Sequence, residues 1–242
     1  MLHLDFIKGK KVYLEDNTLE LGGSWNPSGT YDGRFLERCI EYIIEKKHKN
    51  IFDIGANTGQ FALFPMFDET INIFSFEPQK DVFETLTKNV ELNSIKTTTC
   101  YNLAISNTNE QTYIYKPQRY DGMLDNNGDY GTGLATMGNT PLRFGNFEKE
   151  LIECITLDSF ISDNSIESVD LIKIDTEGFE YFVISGALNT LNVFKPDIIT
   201  EINSTNMRQC GTSEEELYSI LQSNGYKLIS QLSNDDYLFT AK

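Results

Sequence analysis

Apolar positions recur in two different rhythms along this chain. From about residue 50 onward, short apolar runs bounded by turn residues alternate with stretches whose apolar residues fall at helical spacing. The runs 51–54, 71–76, 97–105, 151–157, 169–175 and 196–202 read as strands. The first is followed by a helical pattern from Thr58 that Pro65 should end or kink. A helix over 79–93 carries Val82, Phe83, Leu86 and Val90 on one face, and another covers 179–191. Thr212 and Ser213 precede Glu214, Glu215 and Glu216, the start signal of a helix that runs to about Gly225. The runs 226–230 and 237–241, separated by a Ser-Asn-Asp-Asp turn, close the chain as a β-hairpin.

Strands alternating with helices predict an α/β fold with a mostly parallel sheet, and the closing hairpin adds an antiparallel strand. The rhythm breaks between 107 and 150, where one strand (111–115) leads into a loop rich in Gly, Asn and Asp. A loop of that length inside a domain is usually functional or disordered, and it reads here as a substrate-facing insertion. The expected organisation is an N-terminal helical or lid arm over 1–49 and one domain over 50–242.

Composition narrows the setting. No apolar run reaches the roughly eighteen residues of a membrane span, and the first residues lack the pattern of a signal peptide, so a cytoplasmic protein is expected. Four scattered cysteines read as reduced thiols. A formal net charge of −16 repels a phosphate backbone, and Lys46-Lys47-His48-Lys49 is only a short patch at a helix end, so no nucleic-acid partner is expected.

Ligands of open α/β sheets bind at the carboxyl ends of the strands. Asp53-Ile54-Gly55-Ala56-Asn57-Thr58-Gly59 lies there, after the first strand. Gly55 and Gly59 allow a tight turn, and Asn57 can start the helix. The Asp53 carboxylate suits the ammonium of a methionine moiety and would repel a pyrophosphate. Glu77 ends the second strand 24 residues after Asp53, a spacing at which a carboxylate meets ribose hydroxyls. Together they point to S-adenosylmethionine. An NAD-dependent oxidoreductase, which would share the turn and the ribose carboxylate but usually shows Gly-x-Gly-x-x-Gly, is the competing reading. A non-catalytic module that kept the fold is a third.

The segments 53–59, Phe76-Glu77-Pro78, Asn102-Leu103-Ala104-Ile105-Ser106, Thr156-Leu157-Asp158-Ser159 and 172–180 (Ile-Lys-Ile-Asp-Thr-Glu-Gly-Phe-Glu) resemble, in order, those of the FkbM family of methyltransferases. The resemblance implies a class I methyltransferase Rossmann-like fold, with a seven-stranded, mostly parallel sheet and a C-terminal antiparallel hairpin. It implies S-adenosylmethionine as donor, with Thr58, Asn102 and Ala104 joining Asp53, Gly55, Asn57, Gly59 and Glu77 around it. It implies O-methylation of a hydroxyl on a sugar, a glycan or a related natural product, with a non-sugar small molecule as the alternative acceptor.

Methyl transfer needs alignment and a proton acceptor. His3 and His48 fall outside the strand-end cluster, with His48 expected on a solvated helix end, so a carboxylate or a metal is left. Asp175 and Glu201 end two neighbouring strands, and Asp175 is the preferred base; its alternative role is to stabilise the turn that follows. Glu180 is the weaker candidate, expected to face solvent. Asp175, Glu201 and Asn203 also form a candidate Mg²⁺ site. Trp25, Tyr31, Arg119, Tyr120, Asp121 and Gly131-Thr132-Gly133 are the expected acceptor contacts, because aromatic faces with polar neighbours suit a sugar ring.

Overall fold

The computed structural model describes residues 3–7, 10–15, 31–117 and 147–242. In chain order, a hairpin of β1 (His3–Ile7) and β2 (Lys10–Leu14) precedes α1 (Tyr31–Lys46) and β3 (Asn50–Ile54). A 3₁₀ helix (Phe61–Met66), β4 (Asn72–Phe76), α2 (Lys80–Leu92), β5 (Thr98–Tyr101) and β6 (Ala104–Ser106) follow. Next come β7 (Glu110–Pro117), β8 (Phe147–Thr156), α3 (Leu157–Asp163), β9 (Leu171–Ile174), α4 (Glu180–Ser185) and α5 (Leu188–Phe194). The last elements are β10 (Asp197–Glu201), α6 (Ser204–Gln209), α7 (Glu214–Ser223), β11 (Tyr226–Gln231) and β12 (Asp236–Ala241).

Seven strands form the main sheet in the order β11-β12-β10-β9-β3-β4-β5, with β12 antiparallel to β10 and the inner strands parallel. The alternating pattern predicts a mostly parallel sheet closed by a hairpin, and the resemblance implies its seven strands. Its central strands are buried on both faces, so successive side chains serve two cores. Phe52 stacks on its register partner Phe74 at 4.7 Å between ring centroids, and Phe160 of α3 meets Phe52 and Phe76 edge-on. On the opposite face Ile51, Ile73, Leu171 and Ile199 pack against α1 and the 3₁₀ helix.

Several expectations change in detail. The strand expected over 97–105 is two strands in different sheets. The Asn102 amide donates to the carbonyls of Glu77 (2.9 Å) and Pro78 (2.8 Å), which turns the chain out of the main sheet so that β6 pairs with β8 instead. The helix expected over 179–191 is broken at Gly186, which lies so close to the Ser106 carbonyl that a Cβ there would stand 2.0 Å from the oxygen. Asp158 accepts from the N–H groups of Asn189 and Thr190, tying down the first turn of α5. Pro65 lies inside the 3₁₀ helix. The arm over 1–49 is hairpin as well as helix, because Val12 and Leu14 of β2 alternate into the small core formed with α2. Among the described residues, no helix is long and apolar enough to cross a membrane.

Candidate active site

The turn after β3 is fastened to the end of β4. The N–H groups of Gly55 and Ala56 both donate to the Phe76 carbonyl, at 3.1 and 2.9 Å. Asn57 adopts φ +48°, and its N–H donates to Glu77 Oε2 at 3.0 Å, while Glu77 Oε1 accepts from the Gln79 N–H at 2.9 Å. Burial pushes the Glu77 carboxyl up to about 7, against the pull of these two N–H groups. Gly55, Asn57, Glu77, Ala104, Asp175 and Glu177 line one open cleft, and Phe76, Leu103 and Ile105 supply its apolar wall.

Beneath the turn lies a buried ion pair dictated by strand register. Asp53 is the partner of Lys173 across β3 and β9, and both side chains point to the α1 side of the sheet. Lys173 Nζ stands 3.2 Å from Asp53 Oδ1, 3.7 Å from Asp175 Oδ2, and donates to the Gly55 carbonyl at 2.7 Å. Burial alone would lower the lysine's pKa; the Asp53 and Asp175 carboxylates outweigh it and raise it. Lys173 thus ties the floor of the turn to the candidate base. Sequence reasoning quoted this lysine within a motif and gave it no role. A lone lysine in an otherwise apolar strand run, two residues before a strand-end aspartate, was the available signal.

The strand ends next to the turn are acidic. Asp175 is partly exposed, and its N–H donates to the Ile54 carbonyl at 3.1 Å. Glu177, at φ +55°, accepts from the Asn206 amide at 2.7 Å, and burial with the Asp175 and Glu180 charges raises its carboxyl well above the usual range. Glu201 faces Asp236 across β10 and β12. Burial, then the charges of Asp175 and Glu177, push Glu201 up to about 11; burial and Asp175 push Asp236 up to about 6. Glu180 does not face solvent: it is fully buried, and its Oε1 accepts from the Thr176 and Gly178 N–H groups and the Thr176 hydroxyl. It closes the turn that presents Asp175 and Glu177.

Of the expected cofactor residues, Gly55, Asn57, Glu77 and Ala104 line the cleft. Asp53 is fully buried against Lys173 and does not line the cleft, so its carboxylate supports the turn from beneath. Thr58 is buried behind the turn, where its carbonyl accepts from Asn89 at 2.8 Å. Gly59 packs against Leu86, and the Asn102 amide holds the loop after β4. Asn203 is corrected as a metal ligand, because its amide oxygen caps α6 by accepting from the N–H groups of Thr205 and Asn206. Among the described residues, no group of three His, Cys, Asp or Glu side chains is arranged to hold a metal ion. His48 is mostly covered; it pairs with Asp197 at 3.0 Å at the amino ends of the strands, away from the cleft, where Tyr42 also donates to Asp197. Trp25, Arg119, Tyr120, Asp121 and Gly131-Thr132-Gly133 lie outside the described residues, as does the side chain of Tyr31, which begins α1.

Residues 53–228 match the family described as the methyltransferase FkbM domain. The chain belongs to the FkbM methyltransferase family. It is 25% identical over 163 residues to the hexuronic acid methyltransferase AglP of Haloferax volcanii, covering 66% of this chain and 59% of that protein. It is 28% identical over 160 residues to the 2-O-methyltransferase NoeI of Sinorhizobium fredii, covering 64% of each. The chain thus spans less than two thirds of the length of these curated relatives. A crystal structure of methyltransferase FkbM from Methylobacillus flagellatus superposes with a TM-score of 0.50 at 15% identity, over 79% of this chain and 43% of that one. That likeness carries the class I methyltransferase fold to this FkbM-family chain.

Proposed function

We propose that this FkbM-family protein is an S-adenosylmethionine-dependent O-methyltransferase acting on a sugar or glycan hydroxyl. The observation that carries the reading is that Glu77 and Asp175 line one cleft on either side of the Gly55–Asn57 turn. Glu77 stands at the end of β4 beside that turn, the position of a ribose-binding carboxylate. The apolar wall of Phe76, Leu103 and Ile105 fits an adenine ring. The Asn57 side-chain oxygen is buried without a hydrogen-bond partner and fits a donor on the ligand. S-adenosylmethionine, when bound, supplies an activated methyl group.

The chain's own part is to hold that group and prepare the acceptor. Asp175, partly exposed at the end of β9 with Lys173 behind it, is the group assigned to accept the acceptor hydroxyl's proton. Burial and the charges of Asp175 and Glu177 raise the Glu201 carboxyl, which favours a hydrogen-bond donor to the acceptor over a base. The names of the hexuronic acid methyltransferase and the 2-O-methyltransferase support a sugar hydroxyl as acceptor.

Thermal shift with S-adenosylhomocysteine and with NAD, followed by methyl transfer to a panel of nucleotide sugars and oligosaccharides, tests this. Stabilisation by S-adenosylhomocysteine and labelling of a sugar hydroxyl are expected. Stabilisation by NAD alone would overturn the donor assignment, and transfer to no sugar would overturn the acceptor assignment.

A further inference from the structure

The turn that leaves β9 holds a residue whose backbone and side chain suit different amino acids. Glu177 sits at φ +55°, a left-handed conformation that glycine adopts freely and a glutamate rarely does. Such residues persist where the surroundings over-determine them, and they gather at functional sites. A glutamate kept where glycine is the easier residue points to a use for its carboxyl.

The surroundings fix that carboxyl from two sides. Behind the turn, the fully buried Glu180 accepts from the Thr176 and Gly178 N–H groups. From α6, the Asn206 amide donates to Glu177 Oε2 at 2.7 Å. The backbones of the same two segments touch, since a Cβ on Gly178 would stand 2.4 Å from the Asn206 carbonyl oxygen. Glu177 still lines the cleft, together with Asp175 two residues before it. Among the described residues Oε2 is the oxygen that is held, and Oε1 is left for a ligand. The strand order β10-β9-β3-β4 places Asp175 and Glu177 on the β10 side of the turn after β3, with Glu77 on the other side. Two carboxyls presented on one short turn, away from the cofactor end, suit neighbouring oxygens of one sugar ring.

We infer that Glu177 orients the acceptor through a hydrogen bond to the sugar hydroxyl next to the one that is methylated, and that Asn206 is the residue that positions Glu177. This rests on the sugar-methylation reading above. Asp175 takes the proton of the reacting hydroxyl, while Glu177 fixes the rotation of the ring so that this hydroxyl faces the methyl group. Burial, with the Asp175 and Glu180 charges, raises the Glu177 carboxyl, so the contact does not depend on a full negative charge and an amide can replace it. The left-handed backbone is then the cost of aiming a long side chain from a turn that glycine would otherwise occupy.

The test uses the full chain, S-adenosylmethionine, methyl pyranosides with their short oligosaccharides, and the monodeoxy analogues of whichever is methylated. Glu177→Gly relieves the left-handed backbone, so its melting temperature and its Kd for S-adenosylhomocysteine should stay close to those of the native chain. Its kcat/KM for the acceptor should fall about tenfold or more, the effect of losing a hydrogen bond to a positioned hydroxyl. Glu177→Gln should recover most of that loss. Asn206→Ala should raise the acceptor KM several-fold and change kcat less, because Glu177 is then present but loose. In the native chain, the analogue lacking the hydroxyl beside the methylated one should lose about as much as the glycine variant does, and the glycine variant should lose little more with that analogue. Additive losses with every analogue, an unchanged kcat/KM in Glu177→Gly, or weakened cofactor binding that accounts for its fall would overturn the inference while leaving sugar methylation standing. An acceptor KM unchanged in Asn206→Ala would overturn the role of Asn206. Methylation of none of the pyranosides, despite stabilisation by S-adenosylhomocysteine, would sink the sugar reading and this inference with it.

Discussion

A side-chain carbon on Gly55 would stand 1.8 Å from the carbonyl oxygen of Asp175. The turn that faces the cofactor and the strand end that carries the candidate base are thus in backbone contact, and Gly55 also holds φ +74°. Gly55→Ala therefore meets both a clash and a left-handed backbone. It should lose about 3 kcal/mol or more of stability and all measurable binding of S-adenosylhomocysteine, read by thermal melts and calorimetry. An alanine variant that binds normally would show that the turn and Asp175 are free to separate.

Lys173 and Asp53 should behave as one unit. Lys173→Met leaves the Asp53 carboxylate buried without its counter-charge and should cost about 3–5 kcal/mol. The double variant Asp53→Asn with Lys173→Met should be more stable than the lysine variant alone, giving a coupling of about 1–3 kcal/mol in a chemical-denaturation cycle. Additive losses would mean that the pair contributes only through packing.

Glu77 makes both fold and cofactor binding depend on pH, in opposite senses. Its folded carboxyl, pushed up to about 7, binds its proton more tightly than in the unfolded chain, where it titrates near 4.5. Its contribution to stability is therefore present below the unfolded value and is lost as pH rises from about 4.5 through about 7. Ribose hydroxyls donate to the ionised form, so affinity for S-adenosylhomocysteine should rise over the upper part of the same interval. Glu77→Gln should flatten both trends, as measured by melting temperature and calorimetric Kd between pH 5 and 8.

Asp175→Asn keeps the shape of the strand end and removes the proton acceptor. A fall in kcat of roughly 10²–10⁴-fold with nearly unchanged cofactor affinity is expected. Loss of cofactor affinity with kcat preserved would move Asp175 from the acceptor side to the cofactor side.

Asn89 links the N-terminal hairpin to the cofactor turn. Its buried amide donates to the Thr58 carbonyl at 2.8 Å and accepts from the Glu15 N–H at 2.8 Å. Asn93, one turn later, exchanges bonds of 2.9 and 2.7 Å with the backbone of Tyr13. Asn89→Ala should cost about 2–4 kcal/mol, because buried backbone groups lose partners at both ends. It should also raise the hydrogen exchange of the 56–60 turn, which a purely local packing defect would leave unchanged.

The sheet was legible because parallel strands buried on both faces write long apolar runs, and because Ser213 and Gly225 mark the ends of α7. What was not legible depends on contacts between distant segments. Nothing near Asn102 announces that its amide will seize the Glu77 and Pro78 carbonyls, or near Gly186 that the Ser106 backbone will press against it. The six-residue α6 has too few residues for an apolar period, and only Asn203 as a cap marks its start. The site was legible in position and less so in role. Asp53 and Glu77 are similar carboxylates beside one turn, yet strand register puts the first against a lysine and leaves the second on the cleft.

Because β12 runs against its neighbour, its first residue and not its last arrives beside Glu201. The turn over 232–235 therefore leads into β12 at the strand end that carries Glu201, while the residues that fasten the turn after β3 lie elsewhere in the chain. Asp236 and this turn also fall beyond the segment 53–228 that matches the family. Under the proposed assignment, lengthening or recolouring these four residues would change the surroundings of Glu201 and leave the turn after β3 untouched.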